Sequence, residues 1–166
     1  MTSLVGKPGT RTSLLVAVGF FAASLAVGAI GGFATSFSVT TWYPTLIKPR
    51  FNPPNSIFAP VWTTLYVLMG LAAWRVWRAT YVQGSTRAPM VLYAVQLALN
   101  LAWSLIFFGL RSPGAALVEV TMLLSGVIAT AVAFWRVDRF AGLLFVPYVA
   151  WVSFATVLNF EIWRLN

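Results

Sequence analysis

Apolar residues run through this chain in long blocks, and charged residues interrupt the blocks instead of alternating with them. Blocks of about 20 apolar residues match the helix length that crosses a hydrocarbon core. The first charge-free block runs from 12 to 47, yet Thr35, Ser36, Ser38, Thr40 and Thr41 make its second half polar. The first span is therefore predicted at 13–34, followed by an ordered loop. Pro53 and Pro54 remove backbone donors and hold the residue before them extended, so the second span is predicted at 55–81, with Pro60 in its first turns. A third span is predicted at 88–110, stopped by Arg111, Ser112, Pro113 and Gly114, and a fourth at 115–135. Arg136 to Arg139 turn the chain into a fifth at 140–163. The pattern predicts an all-α protein: residues 1–166 form one integral membrane domain of five transmembrane helices.

Composition agrees and narrows the chemistry. Of 166 residues, 60% are hydrophobic and 8% charged, with a mean hydropathy of +0.84, where a soluble domain carries about 25% charge. Cysteine and histidine are both absent from the sequence. That removes disulfides, thiol nucleophiles, Cys/His zinc sites and the two commonest haem ligands. The only carboxylates are Glu119, Asp138 and Glu161, too few for an oxygen-rich metal cage or most paired-carboxylate catalysis. No metal site and no catalytic residues are expected. The net charge of +8 comes from basic residues at block edges and forms no nucleic-acid patch.

Those edge residues also orient the chain. Lys7, Arg11, Arg75, Arg78, Arg87, Arg136 and Arg139 fall on one face and Lys48, Arg50, Arg111 and Arg164 on the other, which places the N-terminus inside. Lys7 and Arg11 resemble the basic start of a secretory leader, but the apolar block after them exceeds the 7–15 residues of such a leader, so an uncleaved anchor is expected.

Three kinds of position draw attention. The 42–54 loop holds four prolines from Pro44 to Pro54 and begins Trp42-Tyr43; it reads either as a stiff lid over a cavity or as an interfacial aromatic belt. Inside the spans, Gln96, Asn100 and Trp103 share one face, Tyr148, Trp151, Ala155 and Asn159 another, and Trp62 and Tyr66 a third. Such stripes suit either a flat hydrophobic ligand with polar edges or hydrogen bonding between helices. Glu119 is the one carboxylate inside a span, which points to proton or cation coupling. Its place early in the fourth span equally supports a structural role with Arg111 or a loop partner. Small residues also recur every fourth position, at Ser24, Gly28 and Gly32 and at Ala94, Ala98 and Ala102. Either stripe permits close helix approach, and the alanine stripe, turned away from Asn100, is expected to form a homodimer seam.

The run Trp42-Tyr43, Lys48-Pro49, Phe51, Pro53-Pro54, Phe58, Pro60 and Trp62, with Pro147-Tyr148, Trp151 and Leu158-Asn159 later, resembles the tryptophan-rich sensory protein/translocator protein family. The resemblance implies a five-helix, commonly dimeric membrane receptor that binds protoporphyrin-type tetrapyrroles, with transport or light-dependent porphyrin degradation as alternative activities. It implies a ligand cavity formed by Trp42, Tyr43, Trp62, Asn100, Trp103, Tyr148 and Trp151, with no obligatory cofactor; the expected partners are a tetrapyrrole or other hydrophobic small molecule and membrane lipid. Without His or Cys, an iron ligand would have to be Tyr or Met, so a metal-free porphyrin fits better. Two departures stand out: Ser56 occupies a position where the family commonly has tryptophan, and Phe160 stands where a sterol motif needs tyrosine, so cholesterol is not expected as the native ligand.

Overall fold

The computed structural model describes residues 8–83 and 87–166; Lys7, counted above among the orienting charges, lies outside them. Helix α1 (Thr10–Thr41) leads through a 3-10 turn (Tyr43–Thr45) and an extended loop to α2 (Asn55–Gln83). Next come α3 (Arg87–Ser104), a π turn (Leu105–Gly109), α4 (Pro113–Val137), α5 (Arg139–Leu144) and α6 (Val146–Leu165). Among the described residues these form five helices long and apolar enough to cross a membrane, α5 and α6 together making the fifth, Arg139–Leu165.

One boundary differs from expectation by two turns. The polar stretch 35–41 continues α1 and does not begin the loop. Its hydroxyls turn back on their own helix: Thr35 Oγ1 donates to the Gly32 carbonyl, Ser36 Oγ to Phe33, and Thr40 and Thr41 to Phe37. A hydroxyl satisfied three or four residues upstream loses its claim on solvent, so polarity alone does not end the helix.

The fifth span breaks at Phe145, before Pro147, which has no N–H to continue the α5 ladder. Asp138 anchors this break from the other end. Its carboxylate accepts from the Ala141 N–H at 3.0 Å as N-cap of α5 and from Arg75 of α2 at 2.8 Å. Helix α1 packs mainly on α2, α4 on α3 and α6. Glycine permits a close α1–α2 approach: a Cβ on Gly70 would lie 3.1 Å from the Phe21 Cα. The core is continuous from Leu65, Met69 and Val76 through Val120, Leu123 and Val127 to Phe145 and Val152. A second cluster around Tyr43, Phe107, Ala116, Leu158 and Ile162 closes the loop end of the bundle.

Candidate functional site

At that loop end the helices enclose a cavity of about 630 Å³ walled by α1, α2, the π turn and α6. Helix α2 contributes Phe58, Trp62 and Tyr66, one ring per turn on a single stripe, with Trp62 stacked on Tyr66 at 5.7 Å. Helix α6 contributes Trp151, Phe154, Leu158 and Asn159 from the facing stripe. Trp151 meets Phe58 edge-on at 5.9 Å, joining the two walls. The π turn places two adjacent rings on the wall: Phe107 and Phe108 both line the cavity, with ring centres 4.8 Å apart, where the turn is widened by the Leu110 N–H donating to the Leu105 carbonyl at 2.9 Å.

The expected site residues divide into two groups. Tyr43, Trp62, Trp103 and Trp151 stand on the wall. Trp42, Asn100 and Tyr148 stand behind it. Trp42 packs edge-on against Phe107 at 5.7 Å, supporting a wall residue. Tyr66 donates to Asn100 Oδ1 at 2.5 Å, and Asn100 Nδ2 donates to the Tyr148 hydroxyl at 3.0 Å, a buried link from α2 through α3 to α6. The polar face of the third span is therefore spent on the bundle, and its effect on the cavity is to hold Tyr66 and, through it, Trp62. Trp103 has both roles: its indole N–H donates to Asn159 Oδ1 at 3.1 Å while its ring faces the cavity.

Replacing Asn100 with leucine strands two buried phenol hydroxyls at once, each worth about 1–3 kcal/mol when left unsatisfied. Thermal unfolding in detergent should show Asn100→Leu to be the more damaging change, with Tyr148→Phe, which removes a single bond, clearly milder.

Other lining residues were not among those expected. Gly28, Gly32 and Thr35 of α1 line the cavity, so the Ser24, Gly28, Gly32 stripe divides its work. Ser24 is buried and hydrogen-bonded to Tyr93 at 2.5 Å. A Cβ on Gly28 would run into the Tyr66 ring, whereas one on Gly32 would meet nothing within 4 Å. Phe58, Tyr66, Phe107, Phe108 and Phe154 complete the aromatic lining. The regular spacing of Phe58, Trp62 and Tyr66 was the signal available for α2; nothing in composition announces the π turn. Ser56 is exposed in the first turn of α2 and lies outside the lining.

Glu119 departs from expectation. It lies on the buried face of α4 with Ala116, Val120 and Leu123, and both carboxylate oxygens are buried without a hydrogen-bond partner. The pairing with Arg111 is not formed, because Arg111 is exposed in the turn before α4, in a left-handed conformation with φ 52°.

The loop lies across the cavity's end. Tyr43 is buried, donates to Asn52 Oδ1 at 2.8 Å, and carries the Lys48 ammonium 4.7 Å from its ring centre. Burial pushes its phenol above the ordinary value, the Asn52 bond offsetting part of the shift. Asn166 clasps Ile47 by both backbone groups, at 2.9 and 3.0 Å.

Comparison with known proteins follows the same outline. The model of the TspO/MBR family matches residues 20–164. The chain belongs to the TspO/MBR family. It is 46% identical over 142 residues to the tryptophan-rich protein TspO of Chlorobaculum tepidum, covering 86% of this chain and 90% of that one. It is 42% identical over 154 residues to the protein CrtK of Rhodobacter capsulatus, covering 93% and 94%. It is 41% identical over 157 residues to the translocator protein of Sus scrofa, covering 92% and 90%. Family membership and the five spanning helices make this TspO/MBR member an integral, multi-pass membrane protein.

Proposed function

We propose that this protein is a membrane receptor or sensor whose cavity binds a flat, largely apolar ligand of the protoporphyrin type. The supporting observation is the cavity itself: about 630 Å³ in volume, within the range of small-molecule sites, and walled by aromatic rings from α2, the π turn, α6 and the loop. Stacking and edge contacts with Trp62, Trp103 and Trp151 suit an extended ring system, and Asn55 supplies a polar point for its edge. The residues behind the wall keep it preorganised, which lowers the entropy cost of binding. Receptor is preferred to transporter because a carrier must open its site to both sides in turn, whereas every exposed lining residue here lies on α1 or α2. The test is titration of purified protein with protoporphyrin, followed by tryptophan fluorescence in darkness and under light. Saturable quenching in darkness with the ligand recovered intact supports a receptor; loss of porphyrin only under light would reassign the protein as a photodegrader.

In this reading the N-terminus lies inside, as the basic residues indicate, and the protein works as a homodimer through α3. Ala94 and Ala98 are exposed and Ala102 half-buried on the outer side of that helix. Ala98→Leu is expected to raise the monomer fraction in detergent, measured by sedimentation; an unchanged dimer would place the seam on another face.

A further inference from the structure

We propose that the cavity loads and empties sideways, from the hydrocarbon of the bilayer, through a portal between α1 and α2. The inference rests on reading the cavity as the ligand site and adds the route by which a ligand reaches it. Six lining residues are exposed: Leu25, Ala29 and Gly32 on α1, and Asn55, Ala59 and Thr63 on α2. All the others, on α3, the π turn, the loop and α6 as well as the remainder of α1 and α2, are buried or half-buried. The opening therefore faces out between two helices and not toward the loop end.

Glycine shapes the opening. The two helices are in tight contact at Phe21 and Gly70, and again where Gly28 meets the Tyr66 ring. One turn further along α1, Gly32 is exposed on the cavity rim, and a Cβ on it would meet nothing within 4 Å. Nine residues separate Gly32 from the end of α1 at Thr41, roughly 14 Å of helix. A helix of 32 residues is about 48 Å long against a hydrocarbon core of about 30 Å, so that depth lies within the acyl chains. The rim chemistry fits this solvent. Leu25, Ala29, Gly32 and Ala59 present no polar side chain, and the Thr63 hydroxyl is occupied by the Ala59 carbonyl at 2.9 Å. Asn55 stands at the membrane-edge end of α2. The portal thus suits an amphiphile with a flat apolar body and its polar edge held toward the headgroups.

The other routes are closed. Across the loop end, Ile47 is clasped by Asn166, Tyr43 is bonded to Asn52, and Phe51 packs on Phe154 at 6.2 Å. Between α2 and α6 a second groove, of about 590 Å³ and lined by Pro60, Val61, Leu68 and Ala150, reaches the back of Trp151 and Phe154. Those two rings wall it off from the cavity.

The natural absence of cysteine makes a clean test available. In Ala29→Cys/Thr63→Cys protein, a flexible bis-maleimide bridges the portal, and exchange of protoporphyrin with lipid vesicles is compared before and after bridging. The portal predicts at least tenfold slower uptake by bridged protein, and at least tenfold slower release when porphyrin is loaded first and the bridge closed over it. Exchange as fast as in the unbridged protein, or expulsion of preloaded porphyrin on bridging, would overturn the proposal. A ligand-independent arm uses vesicles with brominated acyl chains. The quenching lost on Trp62→Phe should be smaller in bridged than in unbridged protein, and equal quenching would overturn the portal. If unbridged protein takes up no protoporphyrin, the tetrapyrrole reading fails, and this second arm still decides the route.

Discussion

Replacing Trp151 with alanine is expected to weaken protoporphyrin binding about thirtyfold, whereas Trp135→Ala should leave it within about twofold. Loss of an aromatic anchor at the centre of a binding site costs on the order of 2 kcal/mol, and each 1.4 kcal/mol is about tenfold in affinity. Trp151 is such an anchor: it lines the cavity and packs against Phe58 at 5.9 Å and Phe154 at 5.5 Å. Its indole N–H is buried without an acceptor, a donor the protein leaves unused. Trp135 is 45% exposed near the end of α4 and touches no part of the cavity. Equilibrium titration of both variants, matched for helicity by circular dichroism, reads the difference directly. Equal affinities would remove Trp151 from the site.

Gly32→Phe should abolish binding while leaving the fold intact or slightly more stable. The space beside Gly32 is empty and Gly32 stands on the cavity's exposed rim, so a ring placed there obstructs the mouth without displacing a neighbour. Phenylalanine is also the better helix former, by a few tenths of a kcal/mol. Affinity is expected to fall at least about a hundredfold, with a melting temperature no lower than that of the parent. Gly28→Phe makes the informative contrast, because its side chain strikes the Tyr66 ring and disturbs the link to Asn100 and Tyr148. That variant should lose both binding and stability.

The spans were legible because the requirement for a long apolar helix in hydrocarbon writes itself into the chain as uninterrupted blocks. The end of α1 was not, since the hydroxyls of Thr35, Ser36, Thr40 and Thr41 read as loop until their bonds to upstream carbonyls are seen. Periodicity located the right helix faces but not the use of each side chain. Asn100 and Tyr148 lie on stripes beside Trp103 and Trp151, yet the first two bond to each other while the second two reach the cavity. That division depends on helix rotation and rotamer, which spacing does not encode. The glycines of α1 illustrate the same limit. Gly28 and Gly32 look alike as a packing stripe, but one admits a tyrosine ring and the other leaves open volume. Phe107 and Phe108 line the cavity from the π turn, a backbone event without a composition signal. Glu119 was visible as unusual, but an intended partner is a matter of reach, and two turns of α4 separate it from Arg111.

Whether a tetrapyrrole sits inside the bundle against the aromatic wall is decided by an experimental structure of the protein in lipid with protoporphyrin bound. The macrocycle is predicted between α1, α2 and α6, in van der Waals contact with Trp62, Trp103 and Trp151 and beneath Tyr43. A porphyrin bound instead on the outer face of α3 along Ala94 and Ala98, with the cavity empty, would contradict it.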